Sequence, residues 1–170
     1  MNLEKYIRNI PGFPKPGILF RDVTTLIQNP KAFKTSIDML VQKYKGKKID
    51  KVVAVEARGF IFGAAIAYKL GVGFIPVRKK GKLPYKTNSV TYNLEYGTDT
   101  LEIHCDAIEK GDKVLIVDDL LATGGTVKAV TELIEGLEGK VMGIAFVIEL
   151  VDLKGKDKLK GYPIFSLIKY

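Results

Sequence analysis

The sequence predicts an α/β protein with a central, mainly parallel sheet flanked by helices. Two observations point there. Short β-branched runs alternate with stretches whose apolar residues recur at three- and four-residue spacing. One run, residues 113–117, is apolar almost throughout, as expected of a strand covered on both faces in a parallel sheet.

Taken in chain order, Phe33, Ile37, Leu40, Val41 and Tyr44 draw one face of a helix over residues 31–45, which Gly46 stops. Residues 51–55 read as a strand ending before Glu56, residues 59–70 as a helix closed by Gly71, and residues 73–77 as a second strand. That order is a βαβ unit, which implies parallel pairing with a right-handed crossover. Residues 78–100 change character, mixing Lys79, Lys80, Gly81, Lys82, Pro84, Asn88 and Asn93 with Tyr85, Tyr92 and Tyr96. Much of this stretch reads as a long loop of the kind used as a lid or binding element, with a hairpin between residues 89–94 and 100–105. The strand at 113–117 follows. A helix over 126–137 then places Val127, Val130, Leu133, Ile134 and Leu137 on one face, and strands over 141–148 and 164–168 complete the alternation.

No repeat, low-complexity tract or linker divides the 170 residues, so one domain is expected, long enough to bury about two thirds of its unfolded surface. The single cysteine, Cys105, cannot close an internal disulfide, and with the single histidine, His104, it cannot build a thiolate–imidazole zinc cage. Neither residue receives a role. The first ten residues interleave charge with apolar side chains, unlike a signal peptide, and the longest apolar stretch, 59–68, is about half the ~20 residues a bilayer requires. A soluble, cytoplasmic protein without a membrane partner is expected. The net charge of +8 would attract nucleic acid, an anionic membrane or a small, highly phosphorylated substrate, and does not choose among them.

The chemistry concentrates in residues 114–126, an apolar strand followed by two carboxylates and a small-residue turn opening a helix. Thr123, Gly124, Gly125 and Thr126 lack bulk, so backbone N–H groups can approach an anion, and the helix start adds partial positive charge. The two threonine hydroxyls add donors without adding charge. Asp118 and Asp119, just upstream, can accept hydrogen bonds from a ribose diol. Phosphate and sugar sites therefore lie side by side, at the strand end where ligands gather in open α/β sheets. The P-loop motif is absent, and the segment from Gly71 lacks the third glycine of the dinucleotide fingerprint, so a P-loop NTPase or a dinucleotide-dependent dehydrogenase is not expected.

The run Val117-Asp-Asp-Leu-Leu-Ala-Thr-Gly-Gly-Thr126 resembles the phosphoribosyl-pyrophosphate signature of the type I phosphoribosyltransferases. Further matches, in family order, are Pro16 to Thr24 with its Phe-Arg-Asp, Glu56-Ala-Arg-Gly-Phe60, Arg78 to Pro84, Leu94-Glu-Tyr-Gly97 and Leu101-Glu-Ile103. Together they are similar to the adenine-using branch of that family. The resemblance implies the type I phosphoribosyltransferase fold as a single domain over 1–170. About residues 1–30 would form a hood over the base site, and about 78–100 a mobile catalytic loop.

It also implies the site. Ala122, Thr123, Gly124, Gly125 and Thr126 would hold the 5-phosphate. Asp118 and Asp119 would hold the ribose hydroxyls and help place Mg2+ through water, with no direct protein ligand to the metal. Arg58 would contact pyrophosphate, where its planar fork suits phosphate oxygens. Arg78, Lys79 and Lys82 would close over pyrophosphate, and Leu19, Phe20 and Arg21 would supply a stacking face and polar edge for adenine. Glu95 would assist proton removal from the attacking base, with Tyr96 beside it in the same loop. The implied partners are adenine, phosphoribosyl pyrophosphate, AMP and pyrophosphate, in a homodimer that binds no nucleic acid. The alternatives are a transferase for hypoxanthine, guanine, xanthine or orotate, and a non-catalytic phosphoribosyl-pyrophosphate sensor that binds nucleic acid through its basic surface. The lysines of 154–160 are expected to be surface.

Overall fold

The computed structural model describes residues 1–94 and 97–170. A 3-10 turn at Leu3–Tyr6 leads into a two-stranded antiparallel ribbon, β1 (Arg8–Pro11) with β2 (Leu19–Asp22), and then to α1 (Thr24–Gln28) and α2 (Pro30–Tyr44). The βαβ unit follows as β3 (Lys51–Val55), α3 (Arg58–Leu70) and β4 (Gly73–Lys79). An antiparallel hairpin, β5 (Thr87–Leu94) and β6 (Gly97–His104), precedes β7 (Lys113–Leu121), α4 (Gly125–Gly136), β8 (Lys140–Glu149) and β9 (Ile164–Lys169). Two 3-10 turns, Val151–Leu153 and Gly155–Leu159, join the last two strands. Seven strands form the main sheet in the order β5-β6-β4-β3-β7-β8-β9, with β4, β3, β7, β8 and β9 paired in parallel.

The helices end where the sequence places their signals. Asn29 caps α2 by accepting the Ala32 N–H at 2.9 Å, and Pro30 occupies the first turn, where its missing N–H costs no helical bond. Gly71 closes α3 in the left-handed conformation at φ 70°, a backbone shape that strains other residues. On its buried side, α3 carries Gly59 and Gly63 four residues apart. A Cβ on Gly63 would stand 2.7 Å from that of Ala54, so the pair lets the helix lie close on the sheet.

Both faces of the sheet are covered. Val52, Leu115, Val117, Ala145 and Val147 pack with α1, α2 and α3 on one side, while Val53, Val55, Val114, Ile116, Ile144 and Phe146 pack with α4 on the other. This period of two explains why the central strands read as continuous apolar runs. Among the described residues, no helix is long and apolar enough to cross a membrane.

Two elements differ from the sequence expectation. The stretch expected to be mostly loop holds a full hairpin pairing Thr87 with His104 through to Leu94 with Gly97. Its strands look polar because one face is open, while Val90, Tyr92, Leu101 and Ile103 pack against the α4-side core. Strand β7 also continues to Leu121 instead of stopping at Val117, because β8 pairs alongside it as far as Glu149. The β3 ladder stops at Val117, so Asp118 and Asp119 extend past their β3-side neighbour as strand residues, not turn residues.

Candidate active site

Arg58, Arg78, Lys79, Asp118, Asp119 and the turn from Ala122 to Thr126 lie at or just beyond the carboxyl ends of β3, β4 and β7, at the middle of the sheet. Arg58 is the first residue of α3, directly beyond β3, and its Nε donates to the carboxylate of Asp119 at the end of β7. Burial alone would ease proton loss from this guanidinium, but the charges of Asp119, Asp118 and Asp22 outweigh it and hold Arg58 more firmly protonated than usual. The following residue is small: a Cβ on Gly59 would meet Asp118 Oδ1 at 2.7 Å and turn that carboxyl aside. Gly59 therefore lets the first turn of α3 close down on the two carboxylates.

Asp119 is buried and Asp118 half-buried. Burial, and then the adjacent Asp119 charge, push the Asp118 carboxyl well above the ordinary range, although its Oδ1 accepts the Asp119 N–H at 2.9 Å. Asp119 holds the guanidinium while Asp118 carries no ion pair among the described residues, and carboxyl oxygens placed this way can accept from ribose hydroxyls or from the water ligands of a cation. Mg2+ is commonly bound this way, through one or two carboxylates with retained water and substrate phosphates. Among the described residues, no three His, Cys, Asp or Glu side chains group as metal ligands.

Beyond β7 the chain turns through Ala122, Thr123 and Gly124 into α4. Gly124 adopts φ 81°, and no side chain caps the helix, so its first-turn N–H groups are open to an incoming anion. A small hollow of about 80 Å³ runs along this turn from Asp118 to Val127. It adjoins a cleft of about 580 Å³ lined by Tyr92, Asn93 and Leu94 on one side and by Thr123, Gly125, Thr126 and Lys158 on the other. Tyr92 Oη and Thr126 Oγ1 lie 3.3 Å apart, joining the hairpin to the start of α4.

At the end of β4 the Arg78 side chain turns to Glu56, which also takes the backbone N–H of Lys79, while the Lys79 side chain stays exposed. Glu56 accepts from the Lys79 N–H at 2.8 Å and from Arg78 Nε at 3.3 Å, while Arg78 Nη1 donates to the Lys82 carbonyl at 3.5 Å. Burial would raise the Glu56 carboxyl, but these donors and the charges of Arg78 and Lys82 bring it below its ordinary value. Lys79 Nζ reaches Asp99 at 3.2 Å.

In the N-terminal ribbon, Phe20 and Arg21 serve different sides. The Phe20 ring lies 5.1 Å from that of Phe13 and 5.7 Å from the Arg58 guanidinium carbon, which brings an aromatic face to the Arg58–Asp119 pair. Successive strand residues point to opposite faces. Accordingly, Arg21 donates to Asn9 Oδ1 at 2.6 Å and stacks 3.7 Å over the Tyr170 ring. Leu19 is exposed. Glu95 and Tyr96 lie outside the described residues.

Sequence reasoning missed several participants. Lys158 is exposed, as expected of the run it belongs to, and also lines the cleft, a placement that depends on a 3-10 turn that periodicity does not reveal. Tyr92 was legible only as one aromatic in a polar stretch. Glu56, which anchors Arg78, carried the single hint of standing at a strand end.

The Phosphoribosyl transferase domain model matches residues 22–167. An adenine phosphoribosyltransferase of Clostridium botulinum (strain Hall) is 63% identical over 170 residues, covering 100% of this chain and 99% of that protein. The crystal structure of adenine phosphoribosyltransferase from Thermoanaerobacter pseudethanolicus superposes with a TM-score of 0.96 at 56% identity, covering 99% of this chain and 98% of the other. The Saccharomyces cerevisiae enzyme, complexed with adenine and D-2,5-dideoxy-2,5-imino-altritol 1,6-bisphosphate, gives a TM-score of 0.92 at 46% identity, with 97% and 96% covered. With a family model spanning nearly its whole length and relatives this similar from end to end, the chain belongs to the phosphoribosyl transferase domain family.

Proposed function

We infer that this enzyme transfers the 5-phosphoribosyl group from phosphoribosyl pyrophosphate to N9 of adenine, releasing pyrophosphate and forming AMP, a purine-salvage reaction. The observation that carries this reading is the Arg58–Asp119 pair standing between the uncapped turn at Gly124 and the aromatic face of Phe20. Sugar-phosphate, leaving group and base thus have adjoining places. The similarity to adenine phosphoribosyltransferases over the full chain supports adenine as the base.

In this reading the backbone from Ala122 to Thr126, with the hydroxyls of Thr123 and Thr126, holds the 5-phosphate. Asp118 and Asp119 accept hydrogen bonds from the ribose hydroxyls. The C1–O bond to pyrophosphate breaks as the C1–N9 bond forms, and the displaced N9 proton passes toward Glu95. Negative charge builds on the departing pyrophosphate, where Arg58, Arg78, Lys79 and Lys82 stabilise it. Mg2+, when bound, adds charge neutralisation on the pyrophosphate oxygens, with Asp118 and Asp119 holding its water ligands. Phe20 stacks on the base, Leu19 and the backbone at Arg21 complete its edge while the Arg21 side chain, turned to Asn9 and Tyr170, stays away from it, and Tyr96 accompanies Glu95.

Residues 1–30 act as the hood over the base, and residues 78–100 as the catalytic loop that excludes water. The working enzyme is a cytoplasmic homodimer with no nucleic-acid or membrane partner. Incubation with Mg2+, phosphoribosyl pyrophosphate and one nucleobase at a time tests the assignment. AMP from adenine, with no nucleotide from hypoxanthine, guanine, xanthine or orotate, is expected. Turnover of another base in place of adenine would overturn it.

A further inference from the structure

We propose that Lys158, on the 3-10 turn between β8 and β9, is a second-side ligand of the 5-phosphate, facing the α4 turn across the cleft. This rests on the assignment of residues 122–126 to that phosphate. Residues 118–127 contain two carboxylates and no cation, and Arg58 is committed to Asp119. A phosphate dianion brought to this turn therefore adds to local negative charge, and helix N–H groups offset it only in part. Lys158 is the single charged residue among the described lining of the cleft, and its Nζ lies 4.0 Å from where a Cβ on Gly125 would stand. Its ammonium thus sits beside the first residue of α4, in the cleft that Thr123 and Thr126 also line.

Nothing else among the described residues engages it. Lys156, two positions earlier, is bound to the nearly buried Glu149 carboxylate at 2.8 Å, whereas Lys158 has no ion pair or hydrogen bond. The turn that carries it is nevertheless fixed. Leu159 is fully buried in the α4-side core, and Gly155 packs directly against the Ala122 carbonyl and the Leu121 side chain. An unpartnered cation on an anchored backbone, aimed at an uncapped helix start, loses little freedom on capturing a phosphate. It would also discriminate phosphorylated from unphosphorylated ligands, because its contact exists only with the phosphoryl oxygens.

Titration calorimetry on the full chain with ribose 5-phosphate, AMP and adenosine tests this, using wild type, K158A, K158R and K160A. The K158A protein is expected to bind ribose 5-phosphate and AMP about tenfold more weakly, the loss typical of a hydrogen bond to a charged group, with adenosine unaffected. K158R should recover most of the loss, and K160A, an exposed neighbour off the cleft, should match wild type. Thermal melts should coincide, since among the described residues the exposed Lys158 side chain makes no hydrogen bond or ion pair. Wild-type affinity in K158A, or equal weakening in K160A, would overturn the contact. A wild-type chain that neither binds ribose 5-phosphate nor forms AMP would instead overturn the phosphoribosyl assignment itself.

Discussion

Gly124 and Gly155 pack backbone against backbone, so that a side chain on either would collide with the main chain of the other's turn. The phosphate turn therefore leans on the turn after β8. Gly155 has an ordinary backbone conformation, so alanine there tests contact alone, whereas Gly124 needs its positive φ as well. G155A is expected to destabilise the protein by about 1–3 kcal/mol, the usual cost of overpacking, and to raise KM for phosphoribosyl pyrophosphate. G136A, in α4 with open space around it, serves as the control and should be neutral or stabilising. Urea melts and initial rates check both. Unchanged KM in G155A would remove the mutual support of the two turns.

R58K keeps the charge but loses the planar fork that reaches Asp119 and, in the proposed mechanism, pyrophosphate. Removing one preorganised donor to developing negative charge typically lowers turnover about a hundredfold or more, and a fall of that order in kcat is expected. A value near wild type would mean that Arg58 only orients Asp119.

F20A should raise KM for adenine roughly tenfold, the scale of losing one base-stacking ring, with KM for phosphoribosyl pyrophosphate little altered. The split is decisive. Equal effects on both substrates would point to Phe20 supporting Arg58, 5.7 Å away, instead of stacking on the base.

At the opposite end of the sheet, Asp112 receives Lys51 Nζ and the Glu109 N–H, each at 2.8 Å. The Lys51 bond foremost, then the Glu109 bond, hold its carboxyl below the ordinary range against the contrary pull of burial. A depressed carboxylate adds stability that is complete above the unfolded-state pKa, about 3.9, and is lost as pH falls through the lower folded-state value. D112N should therefore cost on the order of 1 kcal/mol at pH 6, with the gap to wild type narrowing progressively below pH 4. A gap independent of pH would show that the charge contributes nothing.

The sequence revealed most where one local rule was enough. Val52 to Val55 and Val114 to Val117 announced buried strands, Gly71 a helix end, and Gly124-Gly125 a turn opening a helix, because each signal depends only on near neighbours. It revealed less where direction depended on distant packing. The hairpin over residues 87–104 illustrates this in Val90 and Tyr92, whose burial under α4 decides that the polar stretch pairs as strands. The extent of β7 beyond Val117 required knowing that β8 is the longer neighbour. Nor could spacing indicate that Lys156 turns to Glu149 while Lys158 turns to the cleft.

Arg58 and the Gly124 turn begin helices lying on opposite sides of the sheet, with Asp119 on the strand between them. In the proposed mechanism the layer of β-structure is thus a ruler between the group that meets the leaving anion and the group that grips the sugar's far end. Its thickness is set by interlocked core side chains, so drift in the surface connections can retune affinity or timing without altering the span the donor sugar must fit.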